Sequence, residues 1–224
     1  MPVERDLRAI LERLPDGADL GPRDPFAQVM WENVGYLIDD ARRTALFREL
    51  QDRVGLDPLA IREADRSLLF DIARRGGMQP DRRVGRWRDI AEITLAKAGG
   101  DLDGTLRERP LAKARTLLKL YPTIADPGAD KILLFAGIAP RPALESNGVR
   151  AMVRMGFVVE QKDYPRTWKL AVEALEKQLG LDFNALTRAY RTLRAHGQTL
   201  CKRSTALCTA CPLDETCAHA VVSF

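Results

Sequence analysis

The feature that most constrains this chain is the position of its four cysteines. All of them lie within 17 residues near the C-terminus, at Cys201, Cys208, Cys211 and Cys217. The N-terminus is charged and has no apolar signal region, and no window holds the roughly 18 apolar residues that span a bilayer. We therefore expect a cytoplasmic protein without membrane contact, whose thiols stay reduced. In such a chain, clustered cysteines indicate a metal site rather than disulfides.

Four thiolates without a histidine suit either tetrahedral zinc or a cubane iron–sulfur cluster. Structural zinc sites usually have two Cys-x2-Cys pairs, whereas only Cys208 and Cys211 have that spacing here. The wider gaps on either side of this pair can surround a larger object. The spacing therefore favours a 4Fe-4S cluster held by all four cysteines, with zinc as the alternative. Such a cluster can serve as structure alone, because metal binding is coupled to folding.

Apolar residues recur at helical spacing along nearly the whole chain, as in Leu7, Ile10, Leu11 and Leu14. The pattern predicts helices over residues 7–14, 26–37, 44–54, 67–74, 81–98, 110–120, 129–137, 145–155, 165–179 and 183–195. The nearest approach to a strand is the short apolar run 157–159. The chain of 224 residues fits one domain or two small ones. We predict an all-α fold.

Basic side chains exceed acidic ones by four, and the whole excess lies after residue 140. That last segment carries 12 lysines and arginines against eight acidic residues. Concentrated positive charge favours a polyanionic partner through counterion release. The alternative is an arginine-rich surface that is simply solvated.

The Cys-x6-Cys-x2-Cys-x5-Cys spacing after a helical chain resembles the iron–sulfur loop of the endonuclease III superfamily, the helix-hairpin-helix DNA glycosylases. The resemblance covers roughly residues 25–220. It implies two helical domains: a barrel domain with the hairpin at 29–138, and an iron–sulfur cluster domain made of 1–28 and 139–224. It also implies a monomer that binds double-stranded DNA and is associated with the nucleoid.

The family's hairpin, Leu-Pro-Gly-Val-Gly-x-Lys-x-Ala, is similar to residues 120–129. Thr123 and Ala125 replace its two glycines, and Pro127 replaces the lysine that forms a Schiff base with the sugar in bifunctional members. A proline has no amine for this step, so the resemblance implies a monofunctional enzyme. The residues expected to contact DNA are those of the hairpin and two in the cysteine loop: Pro122, Thr123, Ile124, Ala125, Gly128, Lys202 and Arg203.

Two glutamates are the candidate catalytic residues, and both resemble positions in the adenine-specific branch of the family. Glu145, followed by Asn147 and Arg150, falls on the Asp of that branch, which would stabilise the sugar cation. Glu32 falls on the general acid that protonates the departing base, and burial in an apolar helix would raise its pKa. The alternatives are a first-turn helix acid for Glu145 and an exposed acid on an amphipathic helix for Glu32.

The resemblance as a whole implies a monofunctional DNA glycosylase of base excision repair that acts on a flipped, damaged or mismatched base. The first alternative is a catalytically inactive DNA-binding iron–sulfur protein on the same scaffold, since the hairpin glycines, the lysine and the aspartate are all replaced. The second is a redox-sensing cluster protein without DNA chemistry. Tyr36 and Trp31 are the aromatic candidates for contacts with a flipped base.

Overall fold

A computed structural model describes residues 6–19 and 21–222, and the all-α prediction is confirmed. The helices are α1 (Leu7–Arg13), α2 (Pro25–Asn33), α3 (Asp40–Arg53), α4 (Pro58–Glu63), α5 (Arg66–Ala73), α6 (Pro80–Ala98), α7 (Leu102–Glu108), α8 (Leu111–Leu118), α9 (Asp126–Phe135), α10 (Ser146–Arg154), α11 (Tyr164–Leu179), α12 (Phe183–Thr199) and α13 (Ala218–Val222). A 3₁₀ turn, Cys208–Ala210, precedes α13. The described residues contain no β-strand, only one isolated bridge between Cys201 and Ala206.

Aspartates define most of the helix starts. The carboxylate of the residue before the helix accepts a hydrogen bond from a first-turn backbone N–H at α1 to α5, α7, α11 and α12. Such a cap satisfies a backbone donor that has no partner inside the helix. Proline occupies the first turn of α2, α4, α6, α9 and α11, where a missing N–H costs nothing.

The chain divides into two compact units, which we call the terminal unit (Met1–Asp19 with Pro140–Phe224) and the central unit (Leu20–Ala139). The domain limits expected from the resemblance, 29–138 against 1–28 with 139–224, remain a prediction.

The central unit contains α2 to α9 around one apolar core. Helix α6 is its longest helix and packs against α2, α4, α5 and α7. Trp87 of α6 is fully buried, and its indole N–H donates to the carbonyl of Asn33 at 3.1 Å. The core therefore fixes the C-terminal end of α2, which carries Glu32 and Asn33.

The terminal unit contains α1 and α10 to α13, and its main packing is between α10 and α12. Gly197 of α12 makes this approach possible. A Cβ there would lie only 2.6 Å from the carbonyl oxygen of Asn147, so a side chain would force the helices apart. This close contact places the start of α10, with Glu145, beside the end of α12 that leads to Cys201.

Each helix predicted from periodicity has a counterpart, although α9 begins at Asp126 rather than at residue 129. Helices α4, α7 and α13, which are five to seven residues long, were not predicted. Within the described part of the chain, none of the helices is long and apolar enough to cross a membrane.

Candidate functional site

The four cysteines line one small pocket in the terminal unit. Cys201 follows α12 and is buried, whereas the other three are half-buried. The 3₁₀ turn carries Cys208, and the backbone N–H of Cys211 closes it by donating to the carbonyl of Cys208 at 3.0 Å. Cys217 is held by its N–H, which donates to Leu213 at 2.8 Å. Apolar side chains, including Leu200 and Ala220, complete the lining.

The cysteine sulfurs are partly buried and accept a few hydrogen bonds. The pKa of Cys211 is raised, first by burial and further by the neighbouring cysteines. The backbone N–H of Leu213 donates to the sulfur of Cys211 at 3.4 Å. The guanidinium of Arg154 donates to the sulfur of Cys201 at 3.5 Å. Thiols in this state release protons when they bind a metal.

The chemistry of the donors fits the predicted cluster, since four cysteine thiols are the ligand set of 4Fe-4S centres. Among residues 6–19 and 21–222, however, no three His, Cys, Asp or Glu side chains are grouped closely enough to form a metal-ion site. The structure thus brings the four predicted ligands to one pocket without forming a finished single-ion site.

The side chains of Lys202 and Arg203 are exposed in the cysteine loop. Arg154 of α10 anchors their backbone, because its guanidinium donates to the carbonyl of Lys202 at 2.7 Å and to that of Arg203 at 3.4 Å. The two residues predicted to contact phosphate therefore lie on a loop whose backbone is held by Arg154.

Glu145 caps α10 and starts a hydrogen-bond chain that ends at the cysteine loop. Its carboxylate accepts from the backbone N–H of Gly148 at 3.0 Å and from the side-chain amide of Asn147 at 2.8 Å. Arg150 then donates to the Asn147 side-chain oxygen at 2.7 Å and to the carbonyl of Cys201 at 2.9 Å. The three residues that carry the resemblance here, Glu145, Asn147 and Arg150, thus form one network.

A pocket of about 550 Å³ lies next to this network, lined by Asn147, Arg150, Tyr164 and Arg203 among others. The pKa of Tyr164 is raised by burial and by the negative charge of Glu145. Glu145 is half-buried, so its carboxylate combines a helix-cap role with partial access to solvent.

Glu32 is positioned differently from the sequence expectation of an apolar environment. Its carboxylate is in direct contact with the Lys131 ammonium of α9, and the side chains are 30% and 18% exposed. An adjacent cation stabilises the charged form of a carboxylate. Glu32 also lines a pocket of about 530 Å³ in the central unit, which we call the basic pocket because Arg43, Arg82 and Arg86 line it too.

The hairpin turn between α8 and α9 contains a residue in the left-handed backbone conformation, although that residue is not a glycine. Thr123 has φ 66°, the region that glycine favours. Asn33 of α2 braces the turn: its side-chain amide donates to the carbonyl of Pro122 at 3.0 Å, and its oxygen accepts from the Thr123 hydroxyl at 3.1 Å. Thr123 and Ala125 are exposed, whereas Ile124 belongs to the core.

No protein-family model matches the chain. It is 27% identical over 169 residues to the thymine-DNA glycosylase of Aeropyrum pernix, a match that covers 73% of this chain and 69% of the relative. Among solved structures, a trapped covalent endonuclease III–DNA intermediate has a TM-score of 0.78 at 17% identity and covers 100% of this chain and 99% of the other. A non-covalent endonuclease III–DNA complex gives a TM-score of 0.77 at 17% identity and the same coverage.

The chain has the endonuclease III fold. A thermostable thymine-DNA glycosylase is also similar, with a TM-score of 0.76 at 13% identity over 96% of both chains. The predicted resemblance to the helix-hairpin-helix DNA glycosylase superfamily is confirmed. At 13% to 17% identity, the solved structures establish the fold alone.

On this endonuclease III fold, the basic pocket contains features that the sequence did not indicate. The non-glycine residues with positive φ in the described ranges are Leu37, Gln79 and Thr123, and all three line it. Strained backbone of this kind collects at functional sites. Leu37 is 80% exposed and Met78 is 63% exposed, so apolar side chains extend into solvent beside the arginines.

The two aromatic candidates, Tyr36 and Trp31, lie in different environments. Tyr36 is exposed and lines the basic pocket. Trp31 instead packs edge-to-face on Phe47 in the core, with the ring centroids 5.2 Å apart. Arg83 is also structural: it is buried and donates to the carbonyls of Ala73 and Met78, which holds the loop before α6. Glu32, Tyr36 and Thr123 of this pocket were candidates in the sequence analysis, whereas the arginines at 43, 82 and 86 were not.

Proposed function

We propose that this protein is a monofunctional DNA glycosylase of base excision repair, which acts as a monomer on double-stranded DNA of the nucleoid. It would hydrolyse the N-glycosidic bond of a flipped damaged or mismatched base. The observation that carries the proposal is the Glu145 network, in a chain whose curated relative is a DNA glycosylase. A fixed carboxylate stabilises the oxocarbenium-like sugar that forms as the bond breaks.

Glu32 is assigned to protonation of the departing base. Lys131 stabilises the ionised form of this carboxylate, which has no proton to give. The role therefore requires base binding to break the ion pair, so that Glu32 first takes up a proton from solvent and then passes it to the base. The basic pocket next to Glu32 offers exposed apolar side chains and arginines, which suit contact with an unstacked base and its phosphates.

DNA contacts are assigned to Pro122, Thr123, Ile124, Ala125 and Gly128 of the hairpin, with Lys202 and Arg203 of the cysteine loop. Thr123 and Ala125 expose the turn, and Ile124 contributes through its backbone because its side chain is buried. Asp126 in the first turn of α9 is paired with Lys119 at 3.0 Å, which reduces its repulsion of a phosphate.

The absence of lyase chemistry is part of the proposal. Pro127 occupies the position of the family's nucleophilic lysine and has no amine. Lys131 lies one turn further along α9, but its ion pair with Glu32 favours the ammonium form, which has no lone pair for attack on the sugar. We expect no borohydride-trapped adduct with DNA. An adduct that disappears in Lys131→Arg would contradict the monofunctional assignment.

Cys201, Cys208, Cys211 and Cys217 would hold a 4Fe-4S cluster. When bound, the cluster supplies four iron–thiolate bonds that fix the cysteine loop after α12. Iron and acid-labile sulfide analysis of anaerobically purified protein tests this assignment. A colourless protein that carries one zinc ion would contradict it.

The central experiment is base release from duplexes that carry uracil, mismatched thymine or adenine, and oxidised or alkylated bases. With the substrate that is cleaved, Glu145→Gln and Glu32→Gln should each slow release by about 100-fold or more. The exposed glutamates Glu173 and Glu63 provide matched controls in the terminal and central units, and their Gln variants should keep full activity.

The second candidate function is DNA binding without catalysis. The observation in its favour is that both carboxylate oxygens of Glu145 already accept hydrogen bonds within α10. Duplex binding without release from any substrate in the panel would support this alternative and exclude the glycosylase.

A further inference from the structure

His196 lies in the last turn of α12, where the helix meets the cysteine loop. Its carbonyl accepts from the backbone N–H groups of Leu200 at 3.0 Å and Cys201 at 2.9 Å. Its side chain is only 6% exposed and lines the same pocket as the four cysteines. The backbone of His196 is therefore fixed at the helix end, and its side chain lines the cysteine pocket.

The Nδ1 atom of His196 is buried and has no hydrogen-bond partner among the described residues. Leaving such a group unpaired costs about 1–3 kcal/mol, so buried polar atoms of this kind usually have a partner in the functional protein. Burial also lowers the pKa of His196, because it penalises the charged imidazole. A neutral imidazole still carries one N–H that it can donate.

We propose that His196 is a positioning residue for the iron–sulfur cluster and donates its Nδ1–H to a sulfur of the cluster or of a coordinating cysteine. Thiolate and sulfide sulfurs carry negative charge and accept hydrogen bonds. Such bonds orient the ligands and stabilise the more reduced state of a cluster, which raises its reduction potential. The proposal rests on the assignment of the cluster and is independent of glycosylase activity.

Thr192 offers a matched control. It lies one turn before His196 on α12, is fully buried, and its hydroxyl is likewise unpaired among the described residues. Thr192 is not part of the pocket that the cysteines line. Thr192→Val therefore removes a buried polar group from the same helix without touching the sulfurs.

The test compares His196→Leu, His196→Asn and Thr192→Val as iron-loaded full-length proteins. His196→Leu should shift the midpoint potential to more negative values and speed iron loss to a chelator by about 10-fold or more. His196→Asn restores a donor near the Nδ1 position and should recover most of both properties, whereas Thr192→Val should match the wild type. An unchanged potential in iron-replete His196→Leu would overturn the proposal.

A second measurement applies if His196→Leu fails to fold or to retain iron. In wild-type protein labelled with ¹⁵N-histidine, pulsed EPR of a paramagnetic state of the cluster should detect a nitrogen coupling that persists in His219→Gln. Absence of the coupling, or its loss in His219→Gln, would refute the assignment to His196. Neither result depends on base release. Failure of the His196 proposal can therefore be distinguished from failure of the glycosylase proposal.

Discussion

Thr123 holds a backbone conformation that a β-branched residue adopts at a cost. At φ 66° the side chain crowds the backbone, and the penalty is about 1–2 kcal/mol. The hydrogen bond from its hydroxyl to Asn33 offsets part of this penalty. The turn thus keeps the geometry of a glycine-containing hairpin by means of a neighbouring side chain.

This geometry reverses the usual order of two substitutions. Both Thr123→Gly and Thr123→Ala lose the bond to Asn33, but only glycine relieves the positive φ. We expect Thr123→Gly to be more stable than Thr123→Ala by about 1 kcal/mol in urea unfolding. At a position with negative φ, alanine would be the more stable of the two, so that order would contradict the left-handed turn.

Asp71 gives a second prediction, on acid stability. Its pKa is lowered from 3.8 to about 2, first by the hydrogen bond from Arg53 and then by that from Arg74. A carboxyl with a lowered pKa in the folded state contributes stability above its unfolded value, and the contribution is lost as the pH falls. Thermal melting of Asp71→Asn should lie below wild type at pH 5, and the gap should close as the pH falls from 4 to 2. Asp89→Asn, at an exposed site of α6, should melt in parallel with wild type throughout.

At the level of elements, an ion pair between α8 and α9 holds the two helices of the hairpin together. Arg115 binds both carboxylate oxygens of Asp130, at 2.7 Å and 3.0 Å. The Asp130 side chain is 1% exposed. Buried carboxylates depend strongly on such bidentate partners.

Removing the arginine should therefore cost more than removing the charge it binds. We expect Arg115→Ala to destabilise the protein by about 3 kcal/mol, because a buried carboxylate loses its arginine. Asp130→Asn should cost less, since the amide is neutral and leaves the arginine partly solvated. Chemical denaturation of both variants and of the double variant measures the coupling, and equal costs for the two single variants would exclude this account.

How far the sequence predicts these elements depends on the range of the interactions. The long helices follow from apolar periodicity and aspartate caps, which are local signals. Helix α9 begins earlier than predicted because Pro127 occupies its first turn, where proline is tolerated, rather than the preceding loop. The clustering of the four cysteines in one pocket follows from their spacing in the sequence.

The candidate site of the central unit was harder to predict from the sequence, because it depends on long-range contacts. Glu32 and Lys131 lie 99 positions apart, and no local pattern predicts that they meet. The positive φ of Leu37 and Gln79 occurs at residue types that do not favour it, so their identity does not predict it. Expectations that depended on the surroundings of a side chain therefore changed most.

At the scale of the whole molecule, the four cysteines belong to the terminal unit, whereas the large apolar cluster around α6 belongs to the central unit. All residues of that cluster lie in the central unit. The cysteine loop has few apolar residues and is held by backbone contacts, so its order should depend on metal binding. Stability in such a chain is distributed unevenly, and local opening should follow this division.

If the four cysteines hold the proposed cluster, chelation of its iron should therefore unfold the chain in parts. In hydrogen exchange, amides of the segment 201–217 and of the last turn of α12 should lose protection first, while those of α2 and α6 stay protected. The physical reason is that iron–thiolate bonds contribute to folding only where their ligands lie, whereas buried apolar area stabilises the central unit without them. Cys217→Ser, which removes one ligand, should reproduce the pattern without a chelator. Equal loss of protection in α6 and in the cysteine segment would show that the two units unfold as one.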